Sequence, residues 1–238
     1  MGGIIVSKDK IKSRWIKIFF LLFVLLCIIG SRLFIGEFCV VSSESMEPTI
    51  RKTEVVFFEK RTFGAKMPQG LTDIPILNFF TWMKKGRDHN RLYDPEDKRI
   101  GGIRQPEVND VVVFLSPENG TDLLVKRINK IFEKEEPVRT DMVGNEKMQQ
   151  LVEKEGGHIV YRHNKCYING KHIDYYLPKQ NFYYVLGDNR KNSHDSRSFG
   201  YIPESSIVGR MGLILFSWDS EGFGIFKIRW HRLFHLIR

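Results

Sequence analysis

Three polar segments of this sequence hold side chains that could do chemistry. The first is Val41-Ser42-Ser43-Glu44-Ser45-Met46-Glu47-Pro48-Thr49. A nucleophilic hydroxyl needs fixed geometry, a base and a site that receives an oxyanion. Pro48 fixes its own φ and restrains Glu47, so Ser45 stands just ahead of a rigid turn. Alone, the segment also reads as a serine-rich linker. The second is Lys126, in Asp122-Leu123-Leu124-Val125-Lys126-Arg127-Ile128. On a strand, Leu124, Lys126 and Ile128 share one face. Burial between aliphatic neighbours disfavours the ammonium form. A lysine base working near neutrality needs a drop of about 3 units, roughly 4 kcal/mol. An ammonium reaching solvent at a sheet edge is the plainer reading of the same spacing. The third segment runs from Gly187 to Gly200 and includes Asp188, Ser193, Asp195 and Arg197. Phe199 is its only aliphatic or aromatic residue, so it cannot be core strand. It is either a site held between strands or a solvated loop.

The elements that must position these groups are strands. Val55–Glu59, Asp110–Leu115, Leu123–Phe132, His158–Tyr161, Cys166–Ile168, Lys171–Tyr176, Phe182–Leu186 and Ile207–Phe216 are short runs rich in Val, Ile, Phe and Tyr, separated by turn residues. Asn169-Gly170 and Asn119-Gly120 mark turns. These runs predict a mainly β, antiparallel domain of two sheet regions. Residues 61–105, with an apolar patch at Phe79, Phe80 and Trp82, read as an insertion, as do residues 133–157, which carry some helical character.

Ahead of the strands, residues 16–35 form an apolar run long enough to span a bilayer if Lys17 and Arg32 snorkel to its interfaces. The bulky residues after Ile29 make a poor cleavage site, so a retained anchor is expected rather than a removed leader. The formal net charge is +9, but residues 1–17 and 222–238 each carry a net +4. The basicity is therefore terminal and leaves no basic domain to hold nucleic acid. Basic residues before the apolar run place the N-terminus in the cytoplasm. The division that follows is a basic terminus over 1–15, an anchor over 16–35, an outward domain over 36–221 and a basic apolar tail over 222–238. The tail fits a strand or a helix equally, and either form suits a bilayer surface.

Taken in order behind an anchor, the three polar segments resemble the bacterial type I signal peptidases, the Ser-Lys leader peptidases. Ser43 to Thr49 matches that family's Ser-x-Ser-Met-x-Pro-Thr block. Leu124-Val125-Lys126-Arg127 matches its lysine strand. Gly187 to Gly200 matches its Gly-Asp-Asn-Arg-x-Asn-Ser-x-Asp-Ser-Arg-x-x-Gly block at every defined position. The resemblance implies an antiparallel β catalytic domain on one transmembrane helix in the bacterial cytoplasmic membrane. Its substrates are secretory preproteins cut after small residues, and no cofactor or metal is required. It implies Ser45 as nucleophile and Lys126 as general base, with the Ser45 N–H and the Ser43 hydroxyl receiving the oxyanion. Ser193 orients the Lys126 amine, Asp195 and Arg197 form a supporting ion pair, and Gly187 leaves room near the lysine. Met46 and Val125 shape shallow substrate pockets.

Three departures stand out. The Gly-x-Pro-Gly stretch that often follows the lysine is replaced by Ile128-Asn129-Lys130-Ile131, so the strand is expected to run on. Asn109 stands where Gly is common, and Ser42 where Pro is common. His158, His163, Cys166 and His172 match no zinc spacing. Cys39 and Cys166 could pair in an oxidising compartment, or both be buried thiols. The rival functions are a maturation protease with one dedicated substrate and a non-catalytic tethered binder.

Overall fold

The computed structural model describes residues 8–67, 99–120, 122–134, 136–139, 146–162, 165–219 and 228–237. The Phe79, Phe80 and Trp82 patch, His163 and Phe226 lie outside the described residues. The first element is the helix α1, Lys8–Phe34. Its apolar part, Ser13–Phe34, is 22 residues, and its most apolar stretch has no residue buried by the rest of the chain. At 1.5 Å per residue that is about 33 Å, long and apolar enough to cross a membrane. The chain leaves α1 and becomes strand β1, Gly36–Val40, within two residues. The junction is tied by Arg32, which pairs with Glu37 at 3.1 Å, and by Lys60, which donates to the Arg32 carbonyl at 2.8 Å. Gly36 is required there: a Cβ would lie 2.3 Å from the Phe58 carbonyl.

β1 pairs with β2, Val55–Glu59, and opens an antiparallel sheet. Its further strands are β3 (Val111–Leu115), β4 (Leu123–Phe132), β10 (Phe182–Leu186), β11 (Ile202–Pro203) and β12 (Ile207–Phe216). They lie in the order β1-β2-β12-β3-β4-β10-β11, with β13 (His235–Leu236) added beside β12. Between β4 and β10 the chain forms two small ribbons. β5 (Val138–Arg139) pairs with β9 (Tyr175–Tyr176). β6 (Ile159–Arg162), β7 (Lys165–Ile168) and β8 (Lys171–His172) form the other. Helix α2, Glu146–Lys154, lies among them. Instead of two sheet regions the fold has one large sheet and two satellites. The run Lys171–Tyr176 splits between the satellites, and the turn at Asn169-Gly170 closes β7 onto β8, both residues having positive φ.

The core explains why β3 is a continuous apolar run and not an alternating one. Val111 and Val113 pack on one face with Met46, Ile50, Val56, Phe58 and Met211. Val112 and Phe114 pack on the other with Ile128, Tyr183, Val185 and Ile202. β4 runs unbroken to Phe132, as the missing Gly-x-Pro-Gly turn implied. A bulge lets Ile128 and Lys130 pair with the adjacent residues Val185 and Tyr184. Asn109 has φ +76°, a left-handed conformation that Gly adopts freely and Asn tolerates. The thiols of Cys39 on β1 and Cys166 on β7 are free, so that pair is not formed. Phe114 is fully buried and its ring meets Phe199, inside the third polar segment. Phe114→Ala is expected to lower unfolding free energy by about 3–5 kcal/mol, read from denaturant unfolding at unchanged slope.

Candidate active site

Ser45 and Lys126 lie 81 residues apart in sequence, yet their Oγ and Nζ atoms are 2.6 Å apart. β4 carries the lysine on the face of Leu124 and Ile128, as strand alternation requires. β3 pairs with β4 along its first half, with Val112 opposite Lys126. The lysine is 3% exposed and Ser45 is 7% exposed. Burial pushes the Lys126 amine down from 10.5 to about 8, against the pull of Asp195 and Asp188. A drop of that size costs the fold about 3 kcal/mol near neutral pH. Because the folded value lies below the unfolded one, the penalty is full below pH 8 and fades toward 10.5. When charged, the amine donates to Ser45 Oγ; when neutral, its lone pair can accept the Ser45 proton. Ser43 Oγ lies 3.2 Å from Ser45 Oγ.

The third segment supports this pair from the far side. Asp195 is buried and caps the short helix α3, Ser196–Phe199. Arg197 donates to it through Nε at 2.8 Å and Nη2 at 3.0 Å, and the Gly187 N–H adds a bond at 3.0 Å. Burial raises this carboxyl, but those bonds outweigh it and hold the group well below the usual carboxylate range. The Asp195–Arg197 pair is therefore present as the resemblance implied.

Two expected contacts differ. Ser193 Oγ is buried and makes no hydrogen bond to the Lys126 amine; its interaction is with the Asp195 carboxylate, which it helps keep charged. The amine is committed to Ser45, and the Ser193 hydroxyl lies across the bare α-carbon of Gly187. A Cβ at Gly187 would come within 2.1 Å of Ser193 Oγ and 2.5 Å of the Ser45 carbonyl. Gly187 thus makes room for the backbone of Ser45 and for Ser193. Met46 is a core residue, 2% exposed, so it can act on a pocket only from beneath. Val125 packs on the same cluster and keeps some surface.

The residues that fix the Ser45 turn lie inside the three matched blocks, but no role was assigned to them from the sequence. Arg127, on the opposite face of β4 from Lys126, donates to Asp188 through Nε at 2.9 Å and Nη2 at 2.8 Å. Asp188 accepts the Thr49 hydroxyl at 2.6 Å. Burial raises the Asp188 carboxyl, and the bonds from Arg127 and Thr49 more than reverse this. Asn189 donates its N–H to the Ser45 carbonyl at 3.0 Å and its side-chain amide to the Glu44 carbonyl at 3.2 Å. The signal available was that Thr49, Arg127, Asp188 and Asn189 occupy defined positions of the matched blocks. Among the described residues no group of His, Cys, Asp and Glu is placed to hold a metal.

A family model described as "Signal peptidase, peptidase S26" matches residues 12–129 and 176–218. Those ranges contain all three polar segments, and the satellite ribbons fall almost wholly in the gap between them. The chain is similar to a signal peptidase I of Buchnera aphidicola subsp. Baizongia pistaciae, 26% identical over 90% of this chain and 80% of that protein. It is equally similar to a signal peptidase I of Buchnera aphidicola subsp. Schizaphis graminum, 26% identical over 93% of this chain and 80% of that one. A solved signal peptidase I from Enterococcus faecalis V583 shares 24% identity and a TM-score of 0.25, covering 46% of this chain and 98% of its own.

The close approach at Gly187 gives a test of the geometry. Gly187→Ala is expected to displace Ser193 or the Ser45 carbonyl. A misplacement near 1 Å at a reacting atom costs on the order of 100-fold in turnover. Peptide hydrolysis should fall by about that factor, with the far-UV circular dichroism spectrum unchanged.

Proposed function

The chain belongs to the signal peptidase family of serine peptidases, and on that footing we propose that Ser45 is its nucleophile and Lys126 its general base. The observation that carries this is the 2.6 Å contact between a buried serine hydroxyl and a lysine amine whose charge is disfavoured by burial. Ser45 Oγ attacks the scissile carbonyl carbon while its proton passes to the Lys126 lone pair. The carbonyl oxygen becomes an oxyanion, received by the Ser45 N–H and the Ser43 hydroxyl. Collapse breaks the C–N bond, and the leaving amine takes the proton from Lys126. The neutral amine then deprotonates a water that opens the ester. Its proton returns to Ser45 Oγ, and the enzyme is restored. Asp188 and Asp195 each have their own arginine, which limits their power to recharge the lysine.

The proposed substrate is a secretory preprotein, cut after small residues. Among the described residues, β10 pairs with β4 only from Arg127 onward, so Leu123 to Lys126 have no strand partner on that side. An extended peptide can add itself there as a strand, with backbone bonds giving affinity. The partly exposed Val125, backed by the buried Met46, leaves a shallow surface that favours small side chains. In this reading α1 is a single-pass anchor, its basic N-terminal side in the cytoplasm and the sheet domain on the outer side. It holds the site near the bilayer from which a signal peptide emerges.

The test is hydrolysis of a purified preprotein by the full chain in detergent, with product mass locating the cut. Wild type is expected to cut after a small-x-small sequence, and Ser45→Ala and Lys126→Ala to lose at least 1,000-fold. Equal cleavage by all three would overturn the dyad. The pH profile supplies a second check. Lys126 must be neutral to act, so kcat/KM should fall about tenfold per pH unit below about 8 and level off above it. A profile flat from pH 6 to 9 would exclude Lys126 as the base.

A further inference from the structure

The family match ends at residue 218, so it leaves residues 228–237 unaccounted for. This segment returns to the domain as a terminal element. Ile228 bridges Trp218, β13 pairs with β12, and Ile237 is buried in the core cluster that holds Met46 and Ile50. Arg232 makes contacts that such packing does not need. Its Nε bonds Glu54 Oε1, and its Nη2 donates to Glu54 Oε2 at 3.0 Å and to the Thr49 carbonyl at 2.8 Å. Glu54 is fully buried and also accepts from the Arg51 N–H at 2.9 Å and the Ser217 hydroxyl at 2.7 Å. Burial raises its carboxyl, but these bonds outweigh that and keep it ionised.

Thr49 closes the turn that Ser45 opens, and its two polar ends are held from different sides. The hydroxyl is bound by the Asp188–Arg127 pair and the carbonyl by the Arg232–Glu54 pair. Behind Pro48 and Thr49 lies a cleft of about 630 Å³, lined otherwise by the terminal segment itself. Side-chain packing does not fill the space behind the carbonyl end of the turn. A planar guanidinium can satisfy a carboxylate and a carbonyl together, which a lysine ammonium does less well.

We infer that Arg232 is a positioning residue for the nucleophile: the terminal segment braces the Ser45 turn through Thr49. Arg232 does not touch the reacting atoms and acts through the backbone of residues 45–49. The inference rests on Ser45 being the nucleophile. Loss of the brace leaves substrate binding on β4 intact but lets the hydroxyl drift from Lys126, so kcat moves and KM does not.

The experiment measures kcat, KM and melting temperature of the full chain in detergent on a preprotein. The proteins are wild type, Ser45→Ala, Arg232→Ala, Arg232→Lys and the double variant Glu54→Gln/Arg232→Ala. Arg232→Ala is expected to lower kcat at least tenfold with KM within twofold, and to lower the melting temperature because Glu54 is left charged and buried. The double variant removes that charge without restoring the Thr49 contact. It should therefore recover most of the melting temperature but not kcat, and Arg232→Lys should recover part of kcat. Wild-type kcat in Arg232→Ala, or recovery of kcat together with melting temperature in the double variant, overturns the inference. An inactive Ser45→Ala beside a fully active Arg232→Ala sinks the brace alone, whereas an active Ser45→Ala removes the nucleophile and the brace together.

Discussion

The Lys126 amine lies 2.6 Å from the Ser45 hydroxyl, on the face of β4 shared by Leu124 and Ile128, and the neighbouring strands and loops keep it there. The amine is almost without solvent, and burial drives it to about 8 although two carboxylates pull the other way. Desolvation wins because each carboxylate is already answered. Arg127 lies on Asp188 and Arg197 on Asp195, so each arginine screens a charge that would otherwise restore the ammonium. The two pairs belong to one loop and one strand face. The electrostatics of the lysine therefore follow from how Gly187 to Gly200 folds over the end of β4. Val185 contributes to this by donating its N–H to the Ser196 hydroxyl at 2.8 Å, which ties the loop to β10.

Ser45 meets the lysine only if its turn is held. No regular element holds it, so side chains and one loop N–H do. Asn189 fixes the carbonyls of Glu44 and Ser45, Asp188 fixes the Thr49 hydroxyl, and Met46 and Ile50 plug into the core below. A loop restrained at this many points behaves as part of the scaffold. That is what a nucleophile outside helix and strand needs to keep a fixed approach.

Much of this was legible in the residues. β4, β10 and β12 have the bounds that their apolar runs gave, and Lys126 lies on the face with Leu124 and Ile128. What alternation does not encode is pairing between distant strands. The order β2-β12-β3 joins segments about 100 to 150 residues apart. β1 was hidden because Gly36–Val40 continues the apolar character of the helix before it. The resemblance implied a pocket role for Met46 beside Ser45, but the turn sends its side chain into the core. Arg232 and Glu54 are 178 residues apart, and neither lies in a recognisable pattern. Ser193 fails in the opposite way. The residue belongs to a specific motif, yet its hydroxyl faces Gly187 and the Asp195 carboxylate rather than the lysine, since a motif fixes residue type and not rotamer.

The junction of helix and sheet adds a last geometric argument. Eleven residues lead from Phe34, the end of α1, to Ser45. A fully extended chain of that length reaches at most about 40 Å. Along that path β1 is paired to β2, and Val41 is tied to Glu54 and Thr53. Salt bridges from Glu37 to Arg32 and Lys60 then hold the start of the sheet to the end of the helix. On the reading of α1 as an anchor, Ser45 cannot stray far from the membrane surface whatever the rest of the domain does. Ile35, and Phe38 and Val40 on the edge strand that makes this connection, are apolar side chains left exposed along that path. On the proposed reading, the short tether sets the reach of the site and the Ser45–Lys126 pair sets its chemistry. Together they favour an extended peptide emerging from the bilayer over a loop on a folded soluble protein.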